Sequence, residues 1–159
     1  MLLYIVFAAA IIAADILTKY LATSYLMEKD ITLIENILYF SYVENRGAAF
    51  GMLQNGRVFF IVITLLLLAA TIYFAPRIFG KSKVLDFGAV FVLAGAMGNL
   101  FDRIFRGFGV DMLDFCLIDF PVFNVADIFV CVGAFLICIY ILFFDESSKK
   151  KKGTDGNDL

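Results

Sequence analysis

Residues 58–75 read VFFIVITLLLLAATIYFA. The stretch has no charge and no apolar stripe set against a polar one. A helix of this length spans a bilayer's hydrocarbon core, and one that is apolar on every side must sit in lipid rather than on a soluble surface. Pro76 follows, and it disfavours helix in the residue before it, so the span is expected to end there. Working outward, similar blocks occur at about 84–103, 125–144 and 2–22. The chain has 159 residues, of which 62% are hydrophobic, and its mean hydropathy is +0.92. Soluble domains are about half apolar. The expected fold class is an all-α membrane protein: four transmembrane helices with a small extracytoplasmic β-sheet and a short interfacial helix. One domain would cover 1–145, and the polar 146–159 would be a disordered cytoplasmic tail.

Basic residues set the expected topology. Arg77, Lys81 and Lys83 lie between the second and third spans, and Lys149 to Lys152 lie in the tail. Positive charge marks the cytoplasmic side, so both termini are expected inside, with 25–57 and 104–124 outside. The first outer segment, ITLIENILYFSYVEN, is rich in β-branched and aromatic residues and partly alternates, which predicts a surface sheet at about 28–50. GAAFGMLQNG after it is glycine-rich and suits a turn or a short interfacial helix.

Composition narrows the chemistry. There is no histidine, which removes Ser-His and Cys-His pairs and histidine-ligated metals. Cys116, Cys131 and Cys138 show no metal or disulfide spacing, and the last two suit packing positions on one helix. The net charge of −2 gives no sign of nucleic acid. No cofactor or metal is expected.

The remaining polar residues fall at particular depths. On 84–103, Gly88, Gly95, Gly98, Asn99 and Asp102 share one helical face, with Arg103 beside it. Small residues allow close helix approach, which accounts for the glycines alone. Asp102 and Arg103 have a plain reading as an ion pair. Asp15 and Lys19 are one turn apart with the acid first, the favourable order for a structural pair that another span could complete.

Four aspartates, Asp111, Asp114, Asp119 and Asp127, lie in or beside the second outer segment. Asn124 followed by Asp127 has the pattern of a helix capping box, and capping alone would explain Asp127. A second reading gives it chemistry. The third and fourth spans are joined by a short loop, so their outer ends are neighbours, and Asp111 could face Asp127 there. Two carboxyls in a poorly solvated site share one proton. The charged member can take a proton from water while the protonated one donates to a carbonyl oxygen. Such a pair hydrolyses an amide with neither metal nor histidine.

Five blocks in order carry a resemblance: DILTK at 15–19, NRGAAFG at 45–51, GAMGNLFDR at 95–103, VDMLDF at 110–115 and FNVAD at 123–127. The chain resembles the lipoprotein signal peptidases, or signal peptidase II, along nearly its whole length. The resemblance implies a multi-pass aspartyl endopeptidase of the bacterial inner or plasma membrane, with its active site on the outer face. Such enzymes cut diacylglyceryl-modified prolipoproteins on the amino side of the lipidated cysteine, and the cyclic peptide globomycin inhibits them. Asp111 and Asp127 match the family's catalytic acids. Asn45, Gly47, Asn99, Arg103 and Asn124 match positions near substrate or dyad, and Asp15, Lys19 and Asp102 are expected to be structural. The partners implied are lipid-modified prolipoproteins and membrane lipid, with the protein a monomer. The family usually has Val-Asp-Phe at the first acid where this chain has Val-Asp-Met, and Asp114-Phe115 supplies a rival register.

Other readings remain open at this level. Intramembrane acids and bases also mark ion paths, so a small proton-coupled transporter is the runner-up. A scaffold whose polar residues only cap and pair is a third.

Overall fold

A computed structural model describes residues 1–47, 53, 56–118 and 120–144. The expected interfacial helix or turn therefore lies largely outside the described residues, as do Asp119 and the tail. The order of elements is α1 (Leu2–Tyr25), β1 (Ile31–Ile34), β2 (Leu38–Asn45), α2 (Arg57–Ile78), α3 (Lys83–Phe105), β3 (Gly109–Phe115) and α4 (Val125–Phe143). All four helices are long and apolar enough to cross a membrane.

The second helix corrects an expectation. It runs through Pro76 to Ile78 and ends where the Phe79 N–H donates to Ala75 O at 2.9 Å. Pro76 sits in the last turn, where its missing N–H removes a single helical bond and interrupts nothing beyond it. No residue of α2 is buried, so its side chains are left for lipid.

The close contact in the bundle is between α3 and α4, and it depends on glycine. A Cβ at Gly133 would meet Gly88 O at 2.6 Å, and one at Gly88 would meet Gly133 O at 3.0 Å. A Cβ at Gly95 would collide with Ala126 O. The two backbones touch with no side chain between them, as membrane helices do when lipid offers no hydrophobic drive. Cys131 and Cys138 lie on the exposed side of α4 and are not packing residues as expected.

The sheet sits at the end of the bundle where α1 and α3 finish and α4 begins. It is antiparallel in the order β1-β2-β3. The third strand was not expected, since 104–124 read as a connection. It pairs Val43 with Asp111 and Asn45 with Gly109. Ala22 and Leu26 from α1 pack with Val110 and Met112 from β3, which ties the sheet to the bundle. Alternation along β3 then turns Asp111 away from that cluster, toward the junction of α3 and α4.

Candidate active site

Asp127 is a cap. Its backbone N–H donates to Asn124 Oδ1 at 3.0 Å, and its Oδ2 accepts the Asn124 backbone N–H at 3.2 Å. This is the capping box expected at the start of α4. Capping uses only one carboxylate oxygen. The other, Oδ1, accepts the Asn99 side-chain N–H at 2.7 Å. Asn99 comes from α3, so Asp127 is held from two elements.

Asp111 lies across from it on β3 and is buried. Its Oδ1 accepts from Asn124 Nδ2 at 2.6 Å, and its Oδ2 accepts from Asn45 Nδ2 at 2.9 Å. Asn124 thus touches both acids, through its side chain on Asp111 and its backbone on Asp127. Asn45 is oriented in turn by the Gly47 N–H, which donates to Asn45 Oδ1 at 2.9 Å. Burial, and then the negative charge of Asp127, push the Asp111 carboxyl up to about 6. The hydrogen bonds from Asn45 and Asn124 and the charge of Lys19 oppose that rise without cancelling it.

Every oxygen of the two acids accepts from an uncharged N–H donor. Among the described residues, neither acid forms a salt bridge. A pair of carboxylates without a bridging cation relieves its repulsion by holding a proton.

A second acid cluster lies one layer deeper and is built differently. The Lys19 ammonium bridges Asp15 at 2.8 Å and Asp102 at 3.0 Å. Asp102 also pairs with Arg106 at 3.3 Å and accepts the Val110 N–H at 3.1 Å. Asp15 Oδ1 accepts the Ala126 N–H at 2.9 Å, so α1 supplies a cap for α4. The Asp15–Lys19 pair is completed by another span, as expected. The expected Asp102–Arg103 ion pair does not form. Successive residues point about 100° apart on a helix, which sends Asp102 inward to Lys19. Arg103 instead donates to Asn99 O at 3.2 Å, and its guanidinium lies 5.0 Å from the Phe60 ring centroid. Among the described residues Arg103 therefore reaches neither acid directly. Asp114, the rival to Asp111, is half-buried on the other face of β3 and accepts only from Cys116 Sγ at 3.3 Å.

Sequence reasoning missed three contributors. Arg106 was discoverable, since it stands one turn after Asp102. Arg57 closes the end of α3 from α2, donating to the carbonyls of Arg103 at 2.8 Å and Ile104 at 3.0 Å. The third is the bond from Lys19 to Asn99 Oδ1 at 3.1 Å, which joins the deeper cluster to the dyad. An apolar cavity of about 390 Å³ lies between the end of α1 and the sheet, against Leu21, Tyr25, Phe40, Met112 and Val125. Met112 and Val125 flank the site in sequence but point away from it, so this cavity backs the two acids and is not a cleft opening on them.

The family model described as signal peptidase (SPase) II matches residues 7–143. A lipoprotein signal peptidase of Clostridioides difficile (strain 630) is 41% identical over 153 residues, covering 93% of this chain and 100% of the relative. One from Brevibacillus brevis is 42% identical over 137 residues, covering 86% and 92%. A solved bacterial membrane enzyme structure at 2.3 Å resolution superposes with a TM-score of 0.81 at 30% identity, covering 100% of this chain and 95% of that one. A second, at 1.9 Å, gives 0.79 at 33% identity, covering 91% and 95%.

Proposed function

The chain belongs to the signal peptidase II family, and from that premise we propose that Asp111 and Asp127 form its catalytic dyad. Membership makes it a bacterial membrane protease that removes signal peptides from prolipoproteins. The finer reading concerns how and where it cuts.

The observation that carries it is the set of four uncharged N–H donors, one on each oxygen of the two acids. The pair shares one proton in the reaction, and burial with the neighbouring charge favours Asp111 as its carrier by raising that carboxyl to about 6. Asp127, at the positive end of α4, takes the role of base. Asp127 takes a proton from water, and the oxygen attacks the amide carbonyl. Asp111 gives its proton to the carbonyl oxygen. The tetrahedral intermediate collapses as the proton on Asp127 passes to the leaving nitrogen and Asp111 recovers its own. The dyad ends as it began. Asn45, Asn99 and Asn124 hold the acids, Gly47 orients Asn45, and Arg103 acts by fixing the backbone of Asn99.

On this reading the leaving nitrogen is that of the diacylglyceryl-modified cysteine. The sheet end of the bundle faces outward, with both termini and the basic 76–83 loop in the cytoplasm, and the protein works as a monomer in lipid. A site at the membrane surface suits a cleavage point tethered there by acyl chains. The protein in detergent, given a lipid-modified prolipoprotein, should release a signal peptide ending just before the lipidated cysteine, as read by mass spectrometry. It should leave the unlipidated precursor whole. A cut at another bond, or none, would refute this assignment.

A further inference from the structure

The bond between Lys19 and Asn99 has a use that charge pairing does not explain. Lys19 is 1% exposed and already has two carboxylates, at 2.8 Å and 3.0 Å. Its ammonium has three protons, and the third goes to an amide oxygen, Asn99 Oδ1, at 3.1 Å. Asn124 Nδ2 donates to the same oxygen at 3.1 Å. An amide has an acceptor at one end and donors at the other. With its oxygen held by Lys19 and Asn124, Asn99 presents N–H to Asp127, at 2.7 Å. Turned over, it would set N–H against an ammonium and oxygen against a carboxylate, and both contacts would repel.

We infer that Lys19 is a positioning residue for the dyad: by holding the Asn99 carbonyl it keeps an N–H donor on Asp127 and so holds that carboxylate in place as the base. The inference rests on the dyad reading above. Among the described residues, the charged groups around the dyad are Lys19 and Asp15 from α1, and Asp102 and Arg103 from α3, with Arg106 just beyond its end. Arg57 from α2 is spent on carbonyls, and β2 brings the neutral Asn45. Glu44 and Arg46 pair with each other at the surface. Of these, Lys19 alone joins to a dyad acid through one intervening side chain that binds it at one end and the acid at the other.

The test is the pH dependence of kcat and KM for the full chain in detergent, with a lipid-modified prolipoprotein as substrate. Lys19→Met removes the ammonium. The paired variant Asp15→Asn with Lys19→Met does so without stranding Asp15, and its Asn can still accept the Ala126 N–H. In either variant kcat should fall about tenfold or more while KM stays within about twofold. The pH profile should move upward by about one unit, because a positive charge and a fixed donor leave the pair. Asn99→Leu should reproduce the shift, and adding Lys19→Met to it should change little more. A folded Lys19 variant with the wild-type profile would overturn the inference. So would failure of the paired variant to fold, which would make the cluster a structural requirement only. Asp127→Asn, run alongside, separates the two claims. If it is inactive while the Lys19 variants behave as wild type, only this inference fails. If it cleaves normally, the dyad itself is wrong.

Discussion

Two acid clusters sit a helical turn or two apart in this protein, and they solve the same problem in opposite ways. Asp15 and Asp102 are buried with a lysine between them and an arginine beside. Asp111 and Asp127 are held only by amides. The first cluster has two cations against its two acids. The second has none among the described residues, and burial with the neighbouring charge raises the Asp111 carboxyl to about 6. Burial alone does not separate the proposed dyad from the other acids, since Asp15 is only 1% exposed. The lack of a cation does.

The largest expected effect breaks the second cluster. Asp111→Asn or Asp127→Asn should lower the cleavage rate about 10²–10⁴-fold in folded protein, because each removes an acid–base group while keeping its shape. Next comes the first cluster. Asp102→Ala leaves Lys19 short of a partner, frees Arg106 and releases the Val110 N–H. It should destabilise the protein by about 3–5 kcal/mol, as measured by unfolding in detergent.

A smaller effect separates the clusters by pH. The folded-state value for Asp111, about 6, lies above its ordinary value. Its contribution to stability is therefore fully present below about pH 4 and is lost as pH rises through about 6. The loss should be about 2–3 kcal/mol by pH 8. Asp111→Asn should flatten that slope, as followed by Tm against pH. The smallest effect is at the rival acid. Asp114→Asn should leave cleavage within about threefold of wild type, since among the described residues its carboxylate accepts only from Cys116, on the far face of β3.

Much of this was legible in the sequence, because the signals were local. Hydropathy located the four helices, and the Asn124–Asp127 spacing located the capping box. The glycines at 88 and 95 marked a tight helix contact. β3 was missed because its pairing is with β2, more than sixty residues away. Arg103 was expected near substrate or dyad, and what the sequence could not give is its direction, toward the Asn99 carbonyl and the Phe60 ring. The Lys19–Asn99 bond joins residues 80 apart and depends on how α1 sits against α3. Nothing local in either stretch announces it.

The central claim of the proposal is that Asp111 and Asp127 share a proton. Infrared difference spectroscopy of the detergent-solubilised protein across pH tests it, with aspartate carboxyls labelled with carbon-13. The account predicts a protonated-carboxyl band that titrates near pH 6, survives Asp114→Asn and disappears in Asp111→Asn. A band untouched by Asp111→Asn, or none in that range, would contradict it.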